Sequence, residues 1–150
     1  MKVICVGWNY PKHNAELNAN PPSVPTIFCK PDSALLKENK DFYIPDFSNQ
    51  VDYEVEVVVR INRLGKSIAE KFAPRYYAQV ALGIDFTARD MQNEARAIGA
   101  PWDLCKGFDG SAVVSEFRDL ENIGSINDLN FRLEINGETS LSIKYVSEDE

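Results

Sequence analysis

Apolar residues come in short bursts along this chain, separated by proline, glycine, asparagine and aspartate. Val3 to Val6 reads as a short buried strand, closed by Asn9-Tyr10-Pro11. Pro11 suits the first turn of a short helix to about Leu17, where Asn18, Asn20, Pro21 and Pro22 stop it. Thr26 to Cys29 reads as a second strand, ended by Lys30-Pro31. Val51 to Ile61 is the clearest strand, β-branched and strictly alternating in its first half. Ser67 with Glu70 has the capping-box spacing for a helix over about 68–73, with a further turn after Pro74. Val80 to Phe86 predicts a strand. Ala88 to Ile98 predicts a helix, with Thr87 and Asp90 as its cap and Gly99 and Pro101 as its stop. Phe131–Ile135 and Thr139–Tyr145 flank Asn136-Gly137, a two-residue hairpin signal. Strands dominate and helices are short, so the expected fold is α+β, mainly β, in one domain over residues 1–150.

Composition narrows the function more than the fold. With 44% hydrophobic and 26% charged residues, the 150-residue chain is an ordinary globular one. Lys and Arg number 16 against 23 Asp and Glu, a net charge of −7. That balance argues against nucleic acid and against an anionic membrane as partners. No apolar run approaches the roughly 18 residues of a transmembrane helix. Cys5, Cys29 and Cys105 are odd in number, lie among apolar neighbours and form no C-x-x-C. They are expected to be buried free thiols in a reducing compartment, the cytoplasm by default.

The chemistry lies in the acids. On an extended Val51–Ile61, Asp52, Glu54 and Glu56 share one face, and Tyr53, Val55, Val57 and Val59 share the other, expected in the core. Glu54 and Glu56 then have Cα atoms roughly 6.5–7 Å apart, close enough for their carboxylates to converge on one ion. The solvated face of a half-exposed sheet shows the same pattern. Like charges on one face repel, however, and no Lys or Arg is interleaved here to neutralise them. Hard oxygen ligands suit Mg²⁺, Mn²⁺ or Ca²⁺ rather than zinc.

Asp85 ends an apolar run, where a carboxylate is costly unless paired or metal-bound, although a helix-capping Asp fits there too. Arg89 and Gln92 share a helix face and can donate to a carboxylate or oxyanion. A surface pairing of Arg89 with Asp90 or Glu94 is the alternative. His13, the only histidine, has Glu16 three residues on, an arrangement that suits a general base and also an ordinary solvated helix. Trp102, Phe108, Phe117 and Tyr145 are expected in the core. Arg63 is expected on an exposed turn, and Glu148-Asp149-Glu150 in solvent.

Together these pieces resemble the fumarylacetoacetate hydrolase family in its small single-domain form. The resemblance rests on Val6-Gly7-Trp8-Asn9-Tyr10-x-x-His13-x-x-Glu16, Phe28-x-Lys30-Pro31-x-Ser33-Ala34-Leu35 and Val51-Asp52-Tyr53-Glu54-Val55-Glu56-Val57. It continues in Gly83-Ile84-Asp85-Phe86-Thr87-Ala88-Arg89-Asp90-Met91-Gln92, in Pro101-Trp102-x-x-x-Lys106-Gly107-Phe108-Asp109 and in the turn Asn136-Gly137-Glu138. The order of these segments, rather than any one of them, makes the match specific.

The resemblance implies a compact β-rich roll with mixed sheets and short helices, usually a homodimer, acting on small dicarbonyl acids. It implies Glu54, Glu56 and Asp85 as ligands of Mg²⁺ or Mn²⁺. It implies His13 and Glu16 as the water-activating dyad on a lid helix, Lys106 as the lysine near the metal, and Arg89 and Gln92 as donors to substrate oxygens. The expected reaction is hydrolysis of a carbon–carbon bond in an acylpyruvate-like acid. Oxaloacetate-type decarboxylation, dicarboxylate isomerisation and a non-catalytic metal-stabilised domain are the alternatives. Two departures stand out. Trp8 stands where members often carry Arg or Lys. Members also continue for about fifty further residues, with a Thr-Gly-Thr-Pro-x-Gly segment, on the scale of a typical domain. The chain is therefore expected to be C-terminally incomplete.

Overall fold

The N-terminal apolar run forms strand β1 (Val3–Gly7), which pairs antiparallel with β2 (Thr26–Lys30) from Val3↔Lys30 to Gly7↔Thr26. This is seen in a computed structural model that describes residues 1–10, 23–38 and 40–144. The helix expected from Pro11 to Leu17 lies outside the described residues. The β-branched run forms β3 (Val51–Ile61), followed by β4 (Tyr77–Ala88) and β5 (Ala112–Val114), hydrogen-bonded in the order β3-β4-β5. Strand β6 (Arg118–Asp119) pairs with β4, Gln79 opposite Asp119. Strands β7 (Asn130–Ile135) and β8 (Glu138–Lys144) form the expected hairpin. Its turn residues Asn136 (φ 54°) and Gly137 (φ 85°) both have the positive φ that a two-residue type I′ turn requires. The helices are short: α1 (Arg89–Ile98), α2 (Asp103–Lys106) and α3 (Leu120–Ile123). The architecture is α+β and mainly β.

Contacts divide the chain into two units, Met1–Glu54 with Ile84–Val113, and Val55–Gly83 with Val114–Glu150. The first is built on aromatic packing. Phe42 stacks on Phe86 at 3.7 Å, and Phe108 packs edge-on against Phe47 at 5.5 Å. Trp102 meets the Phe28 ring at 5.6 Å and lies so close to Gly7 that a Cβ there would be 3.2 Å from its ring. In the second, Val55, Val80, Ala81 and Phe131 are buried. The Asn62 amide donates to the Tyr76 carbonyl at 2.9 Å, and Arg60 covers the Phe117 ring.

Several expectations are corrected. Strand β4 runs on through Thr87, so Thr87 does not cap α1; Ala88 occupies the cap position without a side-chain hydrogen bond. Gly99 ends α1 in the left-handed conformation, as expected. Ser67 has a left-handed backbone and caps nothing, and the turn that follows is a 3-10 helix, Glu70–Tyr76, passing through Pro74. Cys29 is exposed, while Cys5 and Cys105 are buried. On β3, Val55 is buried but Tyr53 and Val59 are exposed, because the expected core face covers only part of the strand. Trp102, Phe108 and Phe117 are half-buried, Arg63 is exposed, and Tyr145 and residues 148–150 lie outside the described residues.

Two polar ties fix the first unit where β3, β4 and α1 begin or end. Asp90 accepts from the Ser48 hydroxyl at 2.6 Å and the Asn49 amide at 2.8 Å, while Arg89 N–H donates to the Gln50 carbonyl at 2.8 Å. Lys30, at the end of β2, is fully buried. Its ammonium donates to the Lys106 carbonyl and to the Ser111 carbonyl and hydroxyl, and lies 2.8 Å from Asp85. One cation thus ties β2 to α2, β4 and the loop before β5.

Two predictions follow from these ties. Replacing Lys30 by Met leaves Asp85 with half its counter-charge and takes one donor from the Lys106 carbonyl and from both Ser111 oxygens. It should cost about 3–5 kcal/mol of unfolding free energy in urea titration; a loss below about 1 kcal/mol would show the tie to be ornamental. For Asp90, the Ser48 hydroxyl and then the Asn49 amide hold its carboxyl below the ordinary value. Its folded pKa is thus below its unfolded one. The stabilisation is complete above the unfolded value of about 3.9 and fades as pH falls through the folded one. The melting-temperature gap between the native chain and Asp90→Ala should hold steady at neutral pH and close below about pH 4.

Candidate active site

Alternation along β3 puts Asp52, Glu54 and Glu56 on one side of the strand, as read from the sequence, and β4 brings Asp85 and Thr87 up as inward, buried positions. The carboxylates of Glu54, Glu56 and Asp85 offer oxygens that all lie within 4.8 Å of one another. Helix α2, one turn long, lifts Lys106 into this group. Its ammonium has three N–H donors and meets three oxygens: Glu54 Oε2 at 2.6 Å, Asp85 Oδ2 at 2.8 Å and Thr87 Oγ1 at 2.6 Å. Arg89, first residue of α1, donates through Nε to Asp52 at 2.7 Å, through Nη2 to Glu54 at 2.5 Å and through Nη1 to the buried Gln92 side chain. The surface pairing of Arg89 with Asp90 or Glu94 is therefore not the one formed.

Charge settles the protonation of these groups. Burial pushes the Glu54 carboxyl up, but Lys106 and Arg89 together outweigh it and hold it below the ordinary range. Burial likewise opposes charge on Lys106, and Asp85 and Glu54 overcome it, leaving the amine more basic than usual. Lys30 goes the other way: burial lowers its pKa, and Asp85 restores only part. Burial raises the Cys105 thiol, which removes it as a nucleophile.

The carboxylate set fits a hard divalent cation. Oxygens bound to one ion at about 2.1 Å stand at most about 4.2 Å apart. The observed spread needs only a small rotamer adjustment to reach that. Among the described residues, Asp85 Oδ1 is the one buried side-chain oxygen without an assigned hydrogen bond, and its neighbour is the Lys30 ammonium at 2.8 Å. A buried oxygen left with a lone pair to give is what a metal ligand requires. The donors are all carboxylate, the set preferred by Mg²⁺, Mn²⁺ or Ca²⁺ over zinc.

Six of the residues singled out from the sequence are thus brought together: Glu54, Glu56, Asp85, Lys106, Arg89 and Gln92. His13 and Glu16 lie outside the described residues. Sequence reasoning missed Lys30, Thr87 and Ser111, which hold the group from behind, and the part played by Asp52, which pairs with Arg89. Lys30 carried a signal: a charge at the end of an apolar strand, the same anomaly that flagged Asp85. Thr87 and Ser111 carried none.

Known proteins share this arrangement of chain. The mitochondrial oxaloacetate tautomerase of Rattus norvegicus is 38% identical over 136 residues, covering 91% of this chain and 62% of that protein. The Bos taurus protein of the same name is 36% identical over the same shares. The chain therefore spans a little under two thirds of the length of these relatives. Among solved structures, a fumarylacetoacetate hydrolase family protein from Yersinia pestis superposes with a TM-score of 0.89 at 33% identity, over 96% of this chain and 66% of that one. Fumarylpyruvate hydrolase from Pseudomonas aeruginosa, solved with Mn²⁺ and pyruvate, superposes with a TM-score of 0.86 at 30% identity, over 95% of this chain and 64% of that one. The family model described as fumarylacetoacetate (FAA) hydrolase C-terminal matches residues 2–147. With that match running nearly end to end, the chain belongs to the fumarylacetoacetate hydrolase family.

Proposed function

We propose that this chain is a metal-dependent enzyme that cleaves a carbon–carbon bond in an acylpyruvate-like dicarbonyl acid. The observation that carries the reading is the convergence of the Glu54, Glu56 and Asp85 carboxylates, with oxygens within 4.8 Å of one another. Mn²⁺ with pyruvate in the Pseudomonas aeruginosa neighbour supports both the ion and the 2-oxo acid end of the substrate. Mg²⁺ fits the same ligands.

When bound, a divalent cation supplies Lewis acidity toward the two oxygens of a 2-oxo acid. The chain's own residues do the rest. Glu54, Glu56 and Asp85 fix the position of that chelate. With Glu54 and Asp85 engaged by the ion, the Lys106 ammonium has N–H donors to turn to a substrate oxygen that gains negative charge. Arg89 and Gln92 offer further donors from the first turn of α1. In the hydrolytic reading His13 takes a proton from the attacking water, with Glu16 as the second member of the dyad that the family resemblance implies. Tautomerisation of oxaloacetate is the second reading. It is favoured by the names of the relatives at 36–38% identity and needs no attacking water.

Adding Mn²⁺ should raise the melting temperature of the native chain but not of Glu54→Gln, and chelator should abolish acylpyruvate cleavage. Full activity in chelator would overturn the metal reading. Lys106→Met should keep Mn²⁺ binding and lose about 10²–10³ in kcat, the usual loss for one donor to a developing oxyanion. Loss of cleavage in His13→Ala with oxaloacetate tautomerisation intact would assign the dyad to water activation. Loss of both would place it in proton transfer common to the two.

A further inference from the structure

Helix α1 carries more than the two donors already described. Arg89, Gln92 and Arg96 are spaced three and four residues apart and so share one face. Arg89 and Gln92 reach the carboxylate centre, and Arg96 lies two turns farther on, about 10 Å along the axis. In a chain with 23 acidic residues, Arg96 has no carboxylate within ion-pair reach among the described residues. Its guanidinium instead lies over the Trp8 ring, 4.6 Å from the centroid.

The other side of this arrangement is aromatic, and it joins the same two ends. The Lys106 ammonium stands 5.2 Å from the centre of the Phe28 ring. Phe28 packs on Trp102 at 5.6 Å, and Trp102 on Trp8 at 6.5 Å, each edge to face. Gly7 lets Trp102 lie against the backbone beside Trp8. Trp8 itself adopts φ 64°, a left-handed conformation that a bulky residue rarely enters. Such an outlier persists only where its surroundings hold it, and here they hold the ring beneath Arg96. A cation in the last turn of a helix also suits the helix dipole, but the dipole gives no reason for the Trp8 backbone.

We propose that Arg96, seated on Trp8, is a specificity-determining residue. It receives a second carboxylate of the substrate, at the end remote from the metal-chelating group. A guanidinium with one face on a ring keeps its N–H edge for bidentate contact with a planar carboxylate. The substrate class is then an elongated 2-oxo diacid, with its apolar middle along Phe28 and Trp102. This rests on the metal-chelating reading above and adds the length and charge of the substrate to it.

The test is calorimetric binding to the Mn²⁺-loaded chain, without turnover. Unreactive 2-oxo diacids of five to eight carbons are compared with 2-oxo monoacids of equal length, and oxalate reports on the chelating end alone. The longer diacids should bind at least about tenfold more tightly than their monoacid counterparts, the worth of one charged hydrogen-bonded contact. Arg96→Gln should erase that preference with oxalate binding and melting temperature unchanged. Trp8→Leu should weaken the preference, and rising salt should reduce it. Oxalate binding with no diacid preference, or a preference that survives Arg96→Gln, overturns the proposal alone. Failure of oxalate to bind overturns the metal reading and this proposal with it.

Discussion

Lys106 is the hinge of the first unit's chemistry. Its ammonium meets Glu54, Asp85 and Thr87 at 2.6–2.8 Å, one acceptor per donor. Without it, carboxylates from two strands would face each other across a few ångströms of low-dielectric interior, and they would repel or take up protons. The helix that carries it is one turn long and cannot stand by its own hydrogen bonds. It is held from outside: Lys30 and the Ser111 hydroxyl both donate to the Lys106 carbonyl. The position of one ammonium thus depends on a second buried ammonium, which depends in turn on Ser111 and Asp85.

Stability alone does not account for such a group. Pairing buried charges recovers roughly what desolvating them costs, and an apolar set of similar volume would serve a core as well or better. The packing elsewhere in the unit is ordinary, with Phe42 on Phe86 and Trp102 on Phe28. Departures from ordinary local rules that cluster at one place point to a site of chemistry. Asp85 is the sharpest of them, a buried carboxylate held between two buried ammonium groups, Lys30 and Lys106, with Glu54 and Glu56 beside it.

Much of this was legible before the fold. The period of two on β3 set Glu54 and Glu56 on one face, and Asn136-Gly137 set the β7–β8 turn. Asp85 was legible as a charge at the end of an apolar run. What local pattern could not show was distance across the chain. Thr87 looked like a helix cap because a threonine before Arg89 suits one; strand pairing carried β4 through it instead, and its hydroxyl went to Lys106. Cys29 looked buried because its neighbours are apolar, and Tyr53 because it shares the alternating face of Val55, but exposure depends on what covers a sheet face, which period alone does not give. Arg89 had acidic neighbours on its own helix and found better partners, Asp52 and Glu54, more than thirty positions earlier.

A net charge of −7 and an acidic ligand look incompatible until the field is taken locally. Asp52, Glu54, Glu56 and Asp85 stand among Lys30, Arg89 and Lys106, four negative groups and three positive. One divalent ion reverses the sign of that set, and it does so where burial makes each charge count for more than it does at the surface. Distant surface acids are screened within about a Debye length and contribute little there. A group of charges that would by itself repel an anionic substrate therefore attracts one once the ion is in place. Metal should bind first and the acid second, because the acid needs the charge that the metal brings.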